Sequence, residues 1–533
     1  MKRRTFLAAS AAAVVAPPLA APPLATPAIA APARLLKFIP EGDLPALDPV
    51  WTTATNARNH GYMVFDTLYG QDADYVMRPQ MVAGHEVENG GLQWTITLRA
   101  GLKFHDGEPV RAQDAVPSIT RFAARDAFGQ ALMAVTDELS VVDDKSFRFR
   151  LKKPFPLLPA ALGKTGTPMP CIMPERLAKT DPSKQVTEMV GSGPFRFKAD
   201  ERVPGARAVY ERFDGYVPRA DGPATFTAGP KQAFFDRVEW ITIPDAATAA
   251  AALRSNEVDW WQTPSTDLLE MLRAGGRIIT QNVDPAGGIG VLRFNFLYPP
   301  FDNPGIRRAL LGATDQSDYM TAAAGTDTSL WKDRVGVFSP GTPLASEVGI
   351  EVLTGKRDFD KVKQEILAAG YQGETVVVLG ASDYPATNAL ALVAVDMLKK
   401  VGINVDFQQV DWGTVVQRRA VKKPPAEGGW HIFFTYLNGT NNLDPAGQLG
   451  IRGNGKDAWF GWPTLPKLEA LRDAWFVAPD LAAQKAVCEE IQRQFWQDVP
   501  YLPLGVFYQP GAWNKSLSGM RIGFPQFYDV KKT

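Results

Sequence analysis

Residues 374–410 read ETVVVLGASDYPATNALALVAVDMLKKVGINVDFQQV, and the order of elements in this stretch decides the fold class. Glu374 to Leu379 is a β-branched run, the composition of a strand. Ala386 to Val401 reads as a helix ending at Gly402, a residue suited to the left-handed position that closes a helix. Asn404 to Val410 is a second strand, with Val405 and Phe407 on one face. Strand, helix and strand in that order make a crossover unit, so the two strands are expected to run parallel within an α/β body.

Outward from this unit, Trp430 to Leu437 adds a third strand. Helices are expected over about 464–476 and 479–497, and this second unit begins near Arg293. Towards the N-terminus the chain is β-rich from about 85 to 155. Trp94 to Arg99 alternates apolar and polar residues with period two, as a half-buried strand does. It follows Asn89-Gly90, a pair that favours a hairpin turn. Phe147, Phe149 and Leu151 alternate again, and Asp114 to about Arg125 reads as helical. No internal repeat or Ser/Gly linker interrupts the chain, so its domains are expected to pack together and to be discontinuous in sequence.

The 533 residues carry 57 Lys+Arg and 57 Asp+Glu, which excludes a strongly basic nucleic-acid binder. Beyond the first 33 residues no stretch approaches the roughly 18 to 20 apolar residues that span a bilayer, so a soluble protein is expected. Met1-Lys2-Arg3-Arg4 followed by an Ala/Val/Pro/Leu stretch has the parts of a secretory signal, with cleavage after Ala30 or Ala33. Arg3-Arg4 with Phe6-Leu7 is a twin-arginine arrangement. No Cys lies in this segment, which argues against a lipid anchor. Removing residues 1–33 takes away Lys2, Arg3 and Arg4 and no acid, leaving 54 basic against 57 acidic groups, a net charge of −3. Cys171 and Cys488 are the only cysteines. No disulfide framework holds this fold, and two separate buried thiols are favoured over a pair.

The catalytic motifs fail on inspection. Gly163-Lys164-Thr165 has Leu158 where a phosphate-binding loop needs its first glycine, and the Gly349–Lys356 run is one residue too long. Gly288-Ile289-Gly290 lacks the third glycine of a dinucleotide fingerprint. No serine is flanked by glycines two residues away on each side, which removes the nucleophile elbow. His60, His85, His105 and His431 form no ligand-spaced pair, so surface or hydrogen-bonded histidines are expected and no metal or cofactor.

Binding fits better. Ligands of open α/β sheets sit outside the carboxyl ends of the strands. Gly380-Ala381-Ser382-Asp383-Tyr384, Asp411-Trp412 and Asn438-Gly439-Thr440-Asn441-Asn442 leave the strands there, mixing short polar groups with aromatic rings. Trp412 opens a helical stretch and Arg419 lies seven residues on, about two turns, on the same side. Trp459, Phe460 and Trp462 form an aromatic loop after Asn454-Gly455. Core packing for Trp412 and the aromatic loop and a solvated or ion-paired surface for Arg419 account for those residues equally well, while for the Asn-rich loop binding is favoured over turn chemistry alone.

Several runs together resemble one family: Leu47-Asp48-Pro49, Phe65-Asp66-Thr67-Leu68, and Trp94 through Phe104-His105-Asp106-Gly107-Glu108-Pro109-Val110. Others are Asp114-Ala115-Val116, Gly191-Ser192-Gly193-Pro194-Phe195, Asn295 with Pro300-Phe301-Asp302-Asn303, Arg307-Arg308-Ala309-Leu310, and Val410-Asp411-Trp412. The chain resembles, from about 43 to 527, the bacterial extracellular solute-binding proteins of ABC importers, family 5, the peptide/nickel class.

The resemblance implies an α/β, two-lobed periplasmic-binding-protein-like fold with an extra subdomain in the N-terminal lobe. Lobe I would be 34–290 with 503–533, the subdomain about 71–188, and lobe II 291–502. Hinge crossings near Ala286–Arg293 and Pro500–Val506 would let the lobes close on a ligand. The implied partners are a small-molecule or peptide ligand and a membrane ABC permease with its ATPase subunits. A monomeric, periplasmic protein that hydrolyses nothing is expected, without nucleic acid or cofactor. The expected ligand-binding residues are Trp412, Arg419, Tyr436, Asn438, Thr440, Asn441, Asn442, Trp459 and Trp462, joined by Trp51, Thr53 and Asn56. Peptide-binding relatives place an acid near the position of Thr440 to pair the peptide amine, whereas the only acid of this loop is Asp444. Arg419 matches the position that can face a ligand carboxylate. The ranked ligands are a modified peptide or amino-acid conjugate, then an opine or sugar, then a metal chelate. An exported two-lobed enzyme and a periplasmic chaperone are the competing classes.

Overall fold

The crossover unit read from residues 374–410 is present in the structure, a computed structural model that describes residues 34–533. The export signal expected over 1–33 lies outside the described residues. Thr375–Ala381 pairs in parallel with Asn404–Val410, in register from Thr375 opposite Asn404 to Ala381 opposite Val410. The intervening helix, Pro385–Lys400, starts on a proline whose fixed φ suits the first turn and ends with Lys399 and Lys400 beside its free carbonyls. Gly402 follows at φ 83°, the left-handed backbone that glycine adopts without a Cβ clash. Leu390, Ala391, Ala394, Val395 and Leu398 recur at three- and four-residue spacing and are buried.

These strands belong to a sheet of six, in the order Trp331–Lys332, Tyr501–Phe507, Gly288–Phe294, Ile432–Asn438, Thr375–Ala381, Asn404–Val410. Ile432–Asn438 is the expected third strand, parallel to Thr375–Ala381 and antiparallel to Gly288–Phe294. A second sheet has seven strands, ordered Ile278–Gln281, Gly511–Asn514, Trp260–Trp261, Leu35–Ile39, Arg237–Ile241, Arg207–Arg212, Phe195–Phe197. Its centre is a cluster of rings in which Phe38 meets Trp260 and Phe527 edge-on, each at 4.9 Å between centroids. Four antiparallel strands, Val82–Glu88, Gln93–Leu98, Ser146–Leu151 and Thr136–Val141, form a third sheet. Its first hairpin turns at Asn89 and Gly90, both at positive φ. Helices Ala112–Arg125 and Ala127–Val135 accompany this sheet. Phe128 and Phe155 carry it against Trp475 and Phe476 of helix Pro466–Phe476.

The chain passes between the two large sheets twice, through residues 282–287 and 508–510. On one side Ile278–Gln281 pairs with Gly511–Asn514, and on the other Gly288–Phe294 pairs with Tyr501–Phe507. Both of the latter strands are paired along their length in the six-stranded sheet, so its margins fall at Gly288 and Phe507. Helices Pro466–Phe476 and Leu481–Asp498 match the two expected over this part of the chain. Cys171 and Cys488 are free and buried, and burial pushes both thiols well above their ordinary pKa. Among the described residues no helix is long and apolar enough to cross a membrane.

One buried ion pair joins distant segments of the chain. Lys231 Nζ stands 2.7 Å from Asp66 Oδ1, with both side chains fully buried. Burial pushes the Asp66 carboxyl up, but Lys231 outweighs it and holds the group below its usual range. Removing one partner of such a pair leaves an uncompensated buried charge. Lys231→Met is therefore expected to lower stability by about 3–5 kcal/mol, read as a shift of the urea midpoint at constant slope.

The four histidines are hydrogen-bonded. His60 Nδ1 meets Tyr210 Oη at 2.9 Å, His85 Nδ1 meets Tyr69 Oη at 2.9 Å, and His105 Nε2 meets Gly193 O at 3.0 Å. His431 Nδ1 accepts from Val377 N–H at 2.9 Å. Burial pulls His60 down to about 3, and His105 and His431 down to about 4. An unfolded imidazole titrates near 6.5, so the unfolded chain binds more protons between these values. Stability should therefore fall as pH drops from about 6.5 towards 4, by about 1.4 kcal/mol per pH unit for each histidine in its window. Denaturation curves at pH 7, 6 and 5 check this, and a flat profile would contradict it.

Candidate ligand-binding site

Asp411 Oδ1 accepts from Thr414 N–H at 2.9 Å and caps helix Trp412–Arg418, while Asp383 Oδ1 accepts from Trp412 N–H at 2.7 Å. The cap holds the indole where the strand ends. Two turns on, the Arg419 guanidinium lies 5.5 Å over the Trp412 ring, 4.7 Å over Phe460 and 5.7 Å over Phe433. Burial holds Arg419 down to about 10, and its Nε has no hydrogen-bond partner among the described residues. The Tyr384 ring lies tilted against Trp412, 5.2 Å between centroids, and its hydroxyl lies 2.5 Å from that of Tyr436, which donates to Glu41 Oε1 at 3.2 Å.

The loop after Ile432–Asn438 ties the six-stranded sheet to the rest of the chain. Asn438 Oδ1 accepts from Thr440 N and Oγ1, and Thr440 Oγ1 accepts from Arg58 Nη1 at 3.1 Å. Asn441 Oδ1 accepts from Thr167 N–H at 3.2 Å, and Gly439 N–H donates to Gly287 O at 2.6 Å. A Cβ at Gly439 would collide with Ala286 O, so this close approach requires glycine. Arg58 projects from helix Thr55–Val64, lies 4.0 Å over the Phe524 ring and also donates to Asn59 Oδ1. Burial lowers it to about 10, with the charge of Asp284 opposing.

These groups surround a cavity of about 440 Å³, in the range of small-molecule sites. It is lined from both large sheets, by Trp260 and Gln262 on one and Gly288 and Thr435 to Asn438 on the other, and by the helical module at Asp126 and Lys164. Asp126 and Lys164 are paired at 2.5 Å, and Asp126 also caps helix Ala127–Val135.

Seven of the twelve expected residues line the cavity: Thr53, Trp412, Arg419, Tyr436, Asn438, Asn441 and Trp459. The other five do not, and each has local work. Trp51 Nε1 donates to Ser183 O, and Asn56 Nδ2 donates to Gly42 O and Asp43 O. Thr440 is buried under Arg58. Asn442 is fully buried with its amide on Leu437 O, and Trp462 packs on Trp430 at 6.1 Å. Asp444 is absent from the lining; it is buried and accepts from Ala446 and Gly447 N–H inside its own turn. Burial holds its carboxyl above the usual range. The carboxylates on the cavity, besides Asp126, are Glu41 and Asp284, which sequence reading passed over, as it did Arg58 and Arg452. A hint was available for Glu41 and Arg58, which bracket the Trp51–Asn56 segment.

A family model described as "Bacterial extracellular solute-binding proteins, family 5 Middle" matches residues 76–458. The chain belongs to this family. A probable peptide ABC transporter periplasmic-binding protein, y4tO, of Sinorhizobium fredii is 35% identical over 480 residues, 90% of each chain. Among solved structures, this family 5 chain is similar to AgaA of A. tumefaciens R10 in complex with agropinic acid, with TM-score 0.76 and 20% identity over 94% of this chain and 99% of that one. It is similar also to DppA of Helicobacter pylori in complex with the peptide STSA, with TM-score 0.75 and 21% identity over 93% and 98%. The fold is thus the two-lobed, mixed α/β architecture of periplasmic binding proteins, and the named relatives are binding proteins.

The Arg58–Thr440 bond joins residues 382 apart and satisfies a buried guanidinium. Thr440→Val should cost about 1.5–3 kcal/mol, the range for a hydrogen bond to a charged group, measured by chemical denaturation without added ligand.

Proposed function

We propose that this family 5 protein is the exported solute-binding component of an ABC importer. It captures a small polar, peptide-like ligand in the cavity between its lobes and delivers it to a membrane permease with ATPase subunits. The observation that carries the reading is the cavity itself: rings of Trp412, Tyr436 and Trp459 beside the guanidinium of Arg419 and the amides of Asn438 and Asn441, at the junction of two sheets. Aromatic area with a few oriented polar groups is what recognition of a small polar molecule requires.

In this reading one lobe comprises residues 34–287 with 508–533, including the four-stranded module, and the other comprises 288–507. The margins follow the strand pairing of Gly288–Phe294 and Tyr501–Phe507. Segments 282–287 and 508–510 are the hinge, and closure is driven by contacts the ligand makes only in the closed form. The twin-arginine signal at Arg3-Arg4 sends the protein to the periplasm, where it acts as a monomer. A modified peptide or amino-acid conjugate ranks first as ligand and an opine, sugar or metal chelate after it. Among the described residues no group of three His, Cys, Asp or Glu side chains is placed to hold a metal ion directly.

A thermal-shift screen of peptides, opines, sugars and metal chelates tests the reading. A ligand at 100 times its Kd should stabilise the protein by about 2.7 kcal/mol. Trp412→Ala combined with Arg419→Ala should abolish the ligand-induced change in tryptophan fluorescence while leaving the far-ultraviolet circular dichroism unchanged. Retained affinity in that double variant would refute the site.

A further inference from the structure

The charges around the cavity do not balance, and the imbalance is local. Five basic side chains line it: Arg58, Arg125, Lys164, Arg419 and Arg452. Three of them are accounted for. Lys164 is neutralised by Asp126, and Arg125 is exposed with Nη2 on Trp51 O. Arg58 is bonded to Thr440 and Asn59 and sits in the field of Asp284 and Glu41.

Arg419 and Arg452 are different. Neither makes a side-chain hydrogen bond or an ion pair among the described residues, and the Nε of each is buried without a partner. Arg452 follows the short turn Leu449–Ile451. Glu469, whose Oε1 accepts from the adjacent Gly453 N–H, gives its Oε2 to Arg472. Asp444, on the same stretch, is used within its turn. Arg419 is desolvated, and half-buried Arg452 has a buried Nε with no acceptor, so each gains from an anion at the cavity, because an unpaired donor shielded from water loses hydration without return. A guanidinium also presents a planar fork of donors that a carboxylate meets with two parallel bonds. Across the cavity the count reverses, with Glu41 and Asp284 facing the single charge of Arg58, which leaves one carboxylate for a cationic group.

We infer that the ligand is an acidic, amphoteric molecule with two carboxylates and one ammonium, its two carboxylates taken by Arg419 and Arg452. The inference rests on the solute-binding reading and narrows it to a ligand class. Arg452 becomes a specificity-determining residue: a ligand without the second carboxylate would leave its guanidinium unpaired and its buried Nε without an acceptor.

Titration calorimetry with matched pairs tests this. Ala-Glu and γ-Glu-Ala, each carrying two carboxylates and one ammonium, are compared with Ala-Gln and with γ-Glu-Ala α-amide, each lacking one carboxylate. Inorganic phosphate serves as a control anion. At least one dicarboxylate should bind about tenfold or more tighter than its monoamide, the loss expected for one charge-assisted contact. Arg452→Gln should bring that pair to within about threefold, and Arg452→Lys, which keeps charge but not the fork, should fall between. Unliganded melting temperature and circular dichroism confirm that each variant is folded. If Arg452→Gln does not fold, the Arg452→Lys variant and the wild-type pair comparison decide. Equal affinity within both pairs, a preference unchanged in a folded Arg452→Gln, or binding of phosphate alone would each overturn the inference and leave solute binding standing. If none of the four peptides binds while a neutral solute from the wider screen does, the inference likewise falls alone. If nothing in the wider screen binds, both readings fall.

Discussion

The molecule depends on a two-stranded passage. Ile278–Gln281 and Gly511–Asn514 are hydrogen-bonded in one sheet, and their continuations Gly288–Phe294 and Tyr501–Phe507 are hydrogen-bonded in the other. A single covalent crossing would leave two sheets free to swivel. Two crossings anchored at both ends by ladder bonds fix the axis about which the sheets are related. The constraint is sharpest at Gly287, which takes φ 59° with the Phe507 carbonyl where a Cβ would need room and its own carbonyl accepting from Gly439 N–H. A side chain there would be strained on both counts. The cavity is built on this passage, with Val283, Asp284, Gly287, Phe507 and Gln509 in its wall.

Around that axis the site separates two kinds of polar group. Asp444, Asp126 and Lys164 are satisfied within the chain and stiffen the loops that carry the cavity wall. Among the described residues the Nε atoms of Arg419 and Arg452 have no partner. Aromatic faces under Arg419 offset part of its desolvation but supply no hydrogen-bond acceptor in the plane of the guanidinium. The position of Arg419 is set by the rings packed around it. AgaA in complex with agropinic acid and DppA in complex with the peptide STSA share this fold, so the fold by itself does not name a ligand.

The elements were largely legible before the structure. The β-branched run, the helix to Gly402 and the strand to Val410 appear within one or two residues of their expected limits, because local steric preferences and apolar spacing act over the same few residues that define them. Asn89-Gly90 turned where its positive-φ tolerance allowed. The Trp412–Arg419 pairing was legible for the same reason, since seven residues of helix return to one face. The loop after Asn438 was not. Thr440, Asn441 and Asn442 are three consecutive short polar residues, yet of the three Asn441 alone lines the cavity. Composition states that each needs a hydrogen-bond partner. It does not state whether that partner is the chain or a ligand.

The sequence by itself determined the elements, the parallel crossover and, through scattered motifs, the family, and it favoured free cysteines, since these follow from interactions between near neighbours or from short characteristic runs. The tertiary structure alone decided that Glu41, Arg58, Asp284 and Arg452 border one cavity, and that Trp51, Asn56 and Trp462 belong to the packing around it. The physical reason is range. Burial, desolvation and unpaired charge are properties of a residue's surroundings, and the surroundings of Arg452 are assembled from segments hundreds of residues apart.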